Sequence, residues 1–574
     1  MPIVRNPVIR GFAPDPSIIR VGDWYYIAVS SFEWFPNIPL FRSKNLATWE
    51  HCGSVTSAVP GQSLLGVPDS GGIWAPALSY ADGLYWVTYA VVRSVSRRQY
   101  DLSVYVCTAR EISGPWSEPI RVPGYGFDPS LYHQDGKVWL LNLINDTRVG
   151  GRRFDGIVAT ELFPEFSTDG RLNAVDASET THLLLQRDEL IEGPKITHKE
   201  GWYYLLCAQG GTSFKHAVLV ARSRDLLGPY EVDETPLITT RDNPRWPLQR
   251  AGHGELVQSP TGGWYLSFLA SRPLALHAGL RSTLGRETAI APITWVAGWP
   301  KLAGGGWQPP VEFEVTEANA PSATSDDAAA NLQAESKEPD FRVAPGWPWS
   351  TLREPAGDWI TADGLGSVSI RGRLGPESLW EQSLIAQRLT EHQVSVAVTV
   401  IAEPTTFSQS AGLIIYYNTS AYVQLHVTWT QPAGEPLRGQ QWRGAGRRVL
   451  VLEQGRPDGA VIIDTVDIPD GPVRLGAHTV DGVGRFYFFI PSGCTGNGIM
   501  GIDIEAPDDA TDVRHYIGGE VDLTELSDEV GNSSRFTGTF AGVNVIDLVN
   551  GTFTAQFSDW SLQQSENSLP EDGR

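Results

Sequence analysis

Short apolar runs broken by glycine-containing turns set the texture of the first half of the chain. The stretch GFAPDPSIIRVGDWYYIAVS, starting at Gly11, shows the unit: a tight proline corner, a short strand, a polar turn, then a strand of aromatic and β-branched residues. It returns as WAPALSYADGLYWVTYA from Trp74, FDPSLYHQDGKVWLLN from Phe127, EGPKITHKEGWYYLLCA from Glu192 and GHGELVQSPTGGWYLSF from Gly252. Aligned on Pro16, Pro76, Pro129 and Pro194, the copies step by 60, 53 and 65 residues, and the fifth follows at a similar distance. That period suits one four-stranded sheet per copy, the blade of a β-propeller, and five copies predict five blades. An irregular sandwich with recurring hairpins is the competing arrangement.

From about Glu312 the pattern changes. VTEANAPSATSDDAAANLQAESKEPD is polar, rich in alanine and serine and free of aromatics, as linkers are. Beyond Phe341 a cleaner period-2 alternation appears in HQVSVAVTVIAE, SAGLIIYYNTSAYVQLHVTW, RVLVLEQG, GRFYFFI and FTGTFAGVNVIDL, which predicts an antiparallel sandwich. The expected fold is all-β: a propeller over 1–312, a linker over 313–340, a jelly-roll-like β-sandwich over 341–565 and a disordered tail over 566–574.

Composition agrees with this picture. The 574 residues are too many for one core, and 20 Trp, 18 Tyr and 20 Phe supply a large aromatic interior, while 59 Gly and 40 Pro suit many turns. A net charge of −22 without a basic stripe argues against a nucleic-acid partner. No stretch reaches the ~18–20 apolar residues of a membrane span, and MPIVRNPVIRGF has no apolar signal core. Cys52, Cys107, Cys207 and Cys494 fit no metal pattern, so a cytoplasmic protein with free thiols is expected.

In a propeller the first strand of each blade lines the central axis, so corners far apart in sequence meet at one mouth of the channel. That geometry collects Asp15, Asp128 and Glu192, with His253 near them. Three carboxylates beside aromatic rings point to glycosidic bond hydrolysis, in which one acid protonates the leaving oxygen and one carboxylate activates water or attacks. A third carboxylate raises the pKa of the acid by like-charge repulsion. Phe32, Trp34, Phe35 and Trp74 lie close to the corners and suit the apolar faces of a sugar. Taken singly, each residue has a plainer reading: Asp before Pro caps turns, Glu192 suits a surface loop, and His253 suits a hydrogen-bonded core position.

The ordered set NPVIRGFAPDPSIIRVGDWYYIAVSSFEWFP, SKNLATWE, GIWAPAL, GFDPSLY, EGPKI and LGRETAI resembles glycoside hydrolase family 43, in particular its two-domain β-xylosidases, over nearly the whole chain. The resemblance implies that Asp15 is the general base, Asp128 the residue that tunes and orients its partner, and Glu192 the general acid, with inversion at the anomeric carbon. It implies that Arg286 lies near the carboxylates and substrate, that Phe32 and Trp74 wall the terminal-sugar subsite, and that a sandwich loop at Phe536 closes the pocket. His253 matches a histidine that in some relatives helps hold a hydrated divalent cation, commonly Ca2+; no cofactor is otherwise required. One departure is Ala13, where the family often carries histidine.

The expected activity is release of D-xylose from non-reducing ends of short β-1,4-xylo-oligosaccharides, with α-L-arabinofuranosidase or dual activity as the near alternative. A sugar-binding protein without catalysis, or a retaining five-bladed fructosidase, are more distant ones. Relatives of this type are often homodimers or homotetramers.

Overall fold

The computed structural model describes residues 2–56, 63–95, 98–315, 340–432, 446–490, 514–531 and 535–565. Among these no helix occurs; every regular element is a strand. The chain divides into two compact units, one of Met1–Pro273 with Gly285–Ala329, the other of Leu274–Leu284 with Ala330–Arg574. Thus Leu274–Leu284, a stretch inside the expected propeller span, groups with the second unit. Most of the expected linker over 313–340, the whole tail over 566–574 and Cys494 lie outside the described residues.

The first unit is the propeller, five sheets in chain order. Its innermost strands are Ser17–Val21, Ala77–Ala81, Ser130–Gln134, Ile191–Lys199 and Gln249–Gln258, each paired antiparallel with the aromatic strand that follows its glycine turn. Side chains stitch neighbouring inner strands around the axis. Ser17 Oγ accepts from Leu78 N at 2.9 Å, Ser79 Oγ meets His133 Nε2 at 3.0 Å, and Ser130 Oγ donates to Pro194 O at 2.5 Å. The ring closes where Ser17 Oγ donates to Glu255 at 2.6 Å and Ile18 N to the same oxygen at 3.0 Å. Between blades, Leu, Val, Ile and aromatic side chains of facing sheets form separate buried clusters.

The ends of this unit meet. Ile3–Arg5 pairs antiparallel with Glu312–Glu314, and buried Asn6 donates to Ile290 O at 2.7 Å and Pro310 O at 2.8 Å while accepting from Ile290 N at 2.9 Å. The segment that follows runs beside the strand Glu287–Val296, with Val8 N donating to Thr288 O and Ala13 N to Arg286 O.

The second unit is a sandwich. One sheet orders Val461–Asp467, Arg447–Gly455, Ala421–Thr430, Gln409–Asn418, Phe540–Asp547, Ser383–Arg388 and Ser350–Leu352; the other is seven-stranded and contains Gln393–Ala402 and Thr554–Ser565. Period-2 alternation is visible in the packing. Val394, Val396, Val398 and Val400 of one sheet and Val423, Leu425 and Val427 of the other enter one continuous core.

Candidate active site

Asp15 and Asp128 each stand one residue before a proline, at φ of 55° and 52°. This left-handed conformation is uncommon for a residue with a side chain, but Asp tolerates it better than most. Each corner therefore turns its chain sharply just ahead of an inner strand. In the fourth blade the turn is made differently. Gly193 takes φ 57°, and the pairing register slips between Glu192 and Lys195. On a regular strand two residues three apart face opposite sides; the bulge instead brings both into the field of Asp15.

The three carboxylates are buried together. Asp15 is held by Ser30 Oγ, which donates to Oδ2 at 2.6 Å, and by Arg286 Nη1, which donates to Oδ1 at 2.8 Å. Asp128 receives a hydrogen bond from the backbone N–H of Gly193. Burial opposes ionisation of Asp15, but Arg286, His253 and Ser30 outweigh it and hold the carboxyl below its ordinary range. Burial and the neighbouring Asp15 charge push Glu192 up to about 7, against the pull of Arg286. Asp128 is also raised, by burial and then by Glu192 and Asp15. One carboxylate thus stays charged while the Asp128–Glu192 pair retains a proton near neutrality, a separation of roles that acid–base catalysis needs.

Arg286 arrives through the N-terminal segment: Ala13 N donates to Arg286 O at 3.0 Å, and Thr288 Oγ1 donates to Ala13 O at 2.6 Å. Position 13 makes these contacts through its backbone, which alanine supplies as well as histidine would. The guanidinium also lies 5.6 Å from the Phe32 ring centre. Phe32, at φ 50°, exchanges backbone hydrogen bonds with Ile73, and this sets its ring 6.2 Å from Trp74. The wall continues through Phe12 on one side of Phe32 and through Phe127 and Tyr100 on the side of Trp74. Trp74 is fixed by its indole N–H, which donates to Ser70 O at 2.9 Å. Gly72 makes the close approach achievable, because a Cβ there would fall 2.2 Å from Phe32 O.

His253 lies with its Nδ1 3.8 Å from Asp15 Oδ1, packed on Gly193, and burial pushes its pKa down to about 4. A second imidazole, His216, sits against Gly252; burial first, then His253, lowers it to about 3. Both are therefore neutral rings at physiological pH. Calcium prefers oxygen donors, and among the described residues no group of three or more His, Cys, Asp and Glu is arranged to hold a metal. The donor set around His253 does not fit a calcium ion built from protein ligands.

Asp15, Asp128, Glu192, Arg286, His253, Phe32 and Trp74 all belong to the first unit. Phe536 belongs to the second, half-buried just ahead of the strand Phe540–Asp547. Sequence reasoning missed Ser30, His216 and Lys195. Lys195 was within reach, three residues beyond Glu192 in EGPK; Ser30 ends the first repeat without a signal of its own, and His216 lies in a run without any motif.

A family model described as glycosyl hydrolases family 43 matches residues 4–300, and one described as beta xylosidase C-terminal concanavalin A-like domain matches residues 341–475. A xylan 1,3-beta-xylosidase of a Vibrio species is 35% identical, covering 96% of this chain and 98% of its own length. Xylosidase/arabinosidase 43B of Humicola insolens is also 35% identical, covering 98% of both chains. The crystal structure of xylan beta-1,4-xylosidase from Bacillus halodurans C-125 superposes with a TM-score of 0.82 at 35% identity, covering 98% of this chain and 100% of that one.

Proposed function

This chain belongs to glycosyl hydrolases family 43, and from that premise we propose that it is an exo-acting, inverting β-xylosidase acting on short xylo-oligosaccharides. The observation that carries this reading is one buried cluster in which Asp15, held by Ser30 and Arg286, stands with Asp128 and Glu192, whose burial beside Asp15 favours a retained proton. Asp15, charged and oriented by Ser30 and Arg286, takes a proton from a water molecule as that water attacks the anomeric carbon. Glu192 gives its proton to the glycosidic oxygen as the C–O bond breaks. The released sugar carries the new hydroxyl with inverted configuration, and water has supplied both the hydroxyl and the proton that restores the acid. Asp128, raised by burial and by Glu192 and Asp15, shares with Glu192 the proton that the pair retains. Phe32 and Trp74 offer ring faces to the terminal sugar.

α-L-Arabinofuranosidase activity is the second reading, favoured by the double name of the Humicola relative. Aryl β-D-xyloside and aryl α-L-arabinofuranoside assayed side by side discriminate: the xyloside is expected to be turned over with the higher kcat/KM, and an arabinoside preference overturns the assignment. Linkage is tested with β-1,4- and β-1,3-xylobiose, since the relatives carry both names. NMR of the first-formed product should show the opposite anomer, and a retained one removes the role given to Asp15. Chelation should leave turnover unchanged; a loss restored by Ca2+ would return His253 to metal binding.

A further inference from the structure

The sandwich unit contains a cavity that the reaction does not use. It has a volume of about 720 Å3, within the roughly 300–1,000 Å3 of small-ligand sites. Its floor is the outward face of the strand Ala421–Thr430, whose alternate residues Val423, Leu425 and Val427 fill the core. The rings of Tyr422 and His426, four residues apart, stand on that face and line the cavity. Tyr422 lies against Gly455 of the adjacent strand, where a Cβ would come 2.1 Å from its ring. A side chain there would displace the ring, so the sequence keeps room for it.

Between the rings the lining is polar and already ordered. Gln424 donates to Glu453 at 2.9 Å and accepts from Asn544 at 3.0 Å, and the Tyr422 hydroxyl lies 3.2 Å from both Glu377 and Glu453. Buried His426 has an Nδ1 with no hydrogen-bond partner among the described residues, although such atoms are rarely left unpaired. Arg447 is engaged with Asp467 at 2.7 Å, so the cavity does not offer the cationic cluster that a phosphate or nucleic acid would require. Exposed Phe407 stands at the rim.

We propose that this cavity is a second carbohydrate site, taking a neutral xylose-type chain end on the Tyr422–His426 floor with Gln424 and the flanking carboxylates on its hydroxyls. Neutral donors and acceptors beside flat apolar faces match a sugar, whose ring carries axial C–H groups and equatorial hydroxyls. The choice of xylose rests on the proposed substrate of the first unit; the presence of a second site does not.

The test is calorimetric titration of the full-length Glu192→Gln protein with xylotriose. Two sites per chain are expected. Adding Tyr422→Ala or His426→Ala should weaken one of them about tenfold or more, while the same substitutions in the wild-type background leave aryl-xyloside turnover unchanged. Phe407→Ala, at an exposed position, is the variant that cannot act through folding and should weaken the same site. A single site in Glu192→Gln that is indifferent to all three changes overturns the proposal. So does concentration-dependent self-association abolished by Phe407→Ala, which would make the cavity a contact between copies. If cello- or arabino-oligosaccharides fill the second site and xylotriose does not, the xylose assignment fails while the site stands.

Discussion

Asp15 keeps its charge because the cationic Arg286 and the Ser30 hydroxyl act against its burial, and Glu192 keeps its proton because burial and Asp15 act in the same direction. Each neighbour can be removed singly. Asp15→Asn preserves shape and the tolerance of positive φ but cannot accept a proton, so kcat should fall by at least the about 10²–10⁴-fold that general catalysis contributes. Arg286→Lys retains a cation but loses the planar fork. Asp15 should then protonate at higher pH, moving the acid limb of the kcat/KM profile upward. Glu192→Ala should damage xylobiose cleavage far more than cleavage of an activated aryl xyloside, and the loss of activity as pH rises through about 7 should vanish with it. Equal losses on both substrates would take the acid role from Glu192. The carboxylates themselves were legible, because a corner acid recurring in register is a pattern. Ser30 and His216 were not, because nothing in SSF or FKHAV marks a residue that meets a partner on another segment, Asp15 for Ser30 and His253 for His216.

At the scale of elements, the inner strands are regular away from the mouth and irregular at it. Positive φ at Asp15, Asp128 and His253, and register slips flanking Gly252 and following Glu192, occur where side chains must turn toward the axis. The repeat predicted the strands and their glycine turns, since those follow from period-2 alternation. It could not predict the bulge, because EGPK reads equally well as a continuous strand; pairing with Trp202–Gln209 creates the slip. The meeting of chain ends shows the same dependence. NPVI has no strand-like alternation, yet Asn6 joins three backbone groups of distant segments. Asn6→Ala should strand those buried groups, each at about 1–3 kcal/mol, and lower the unfolding midpoint in urea more than removal of the exposed Arg5–Glu312 pair, whose kind contributes about 0–1 kcal/mol.

For the molecule as a whole, the buried channel links stability to pH in two opposed ways. His216 and His253 are held neutral, at about 3 and about 4 against an ordinary 6.5, so the unfolded chain binds protons first as pH falls. Their contribution is complete above about 6.5 and is lost as pH falls toward 4. Glu192 is raised, so its contribution is complete below its ordinary 4.5 and is lost as pH rises through about 7. Glu192→Gln should therefore raise Tm at pH 8, relative to wild type, and have little effect at pH 4. The all-β class, the five repeats, the change of texture near Glu312 and the acids at the corners follow from the residue order alone. All of these are local: alternation, turn chemistry and spacing are properties of neighbouring residues. Which of those acids is charged, which residues hold them, and the grouping of Leu274–Leu284 outside the propeller unit emerge only in the folded chain. Those outcomes depend on burial and on charges brought close by ring closure, and both arise between residues that the sequence places tens to hundreds of positions apart.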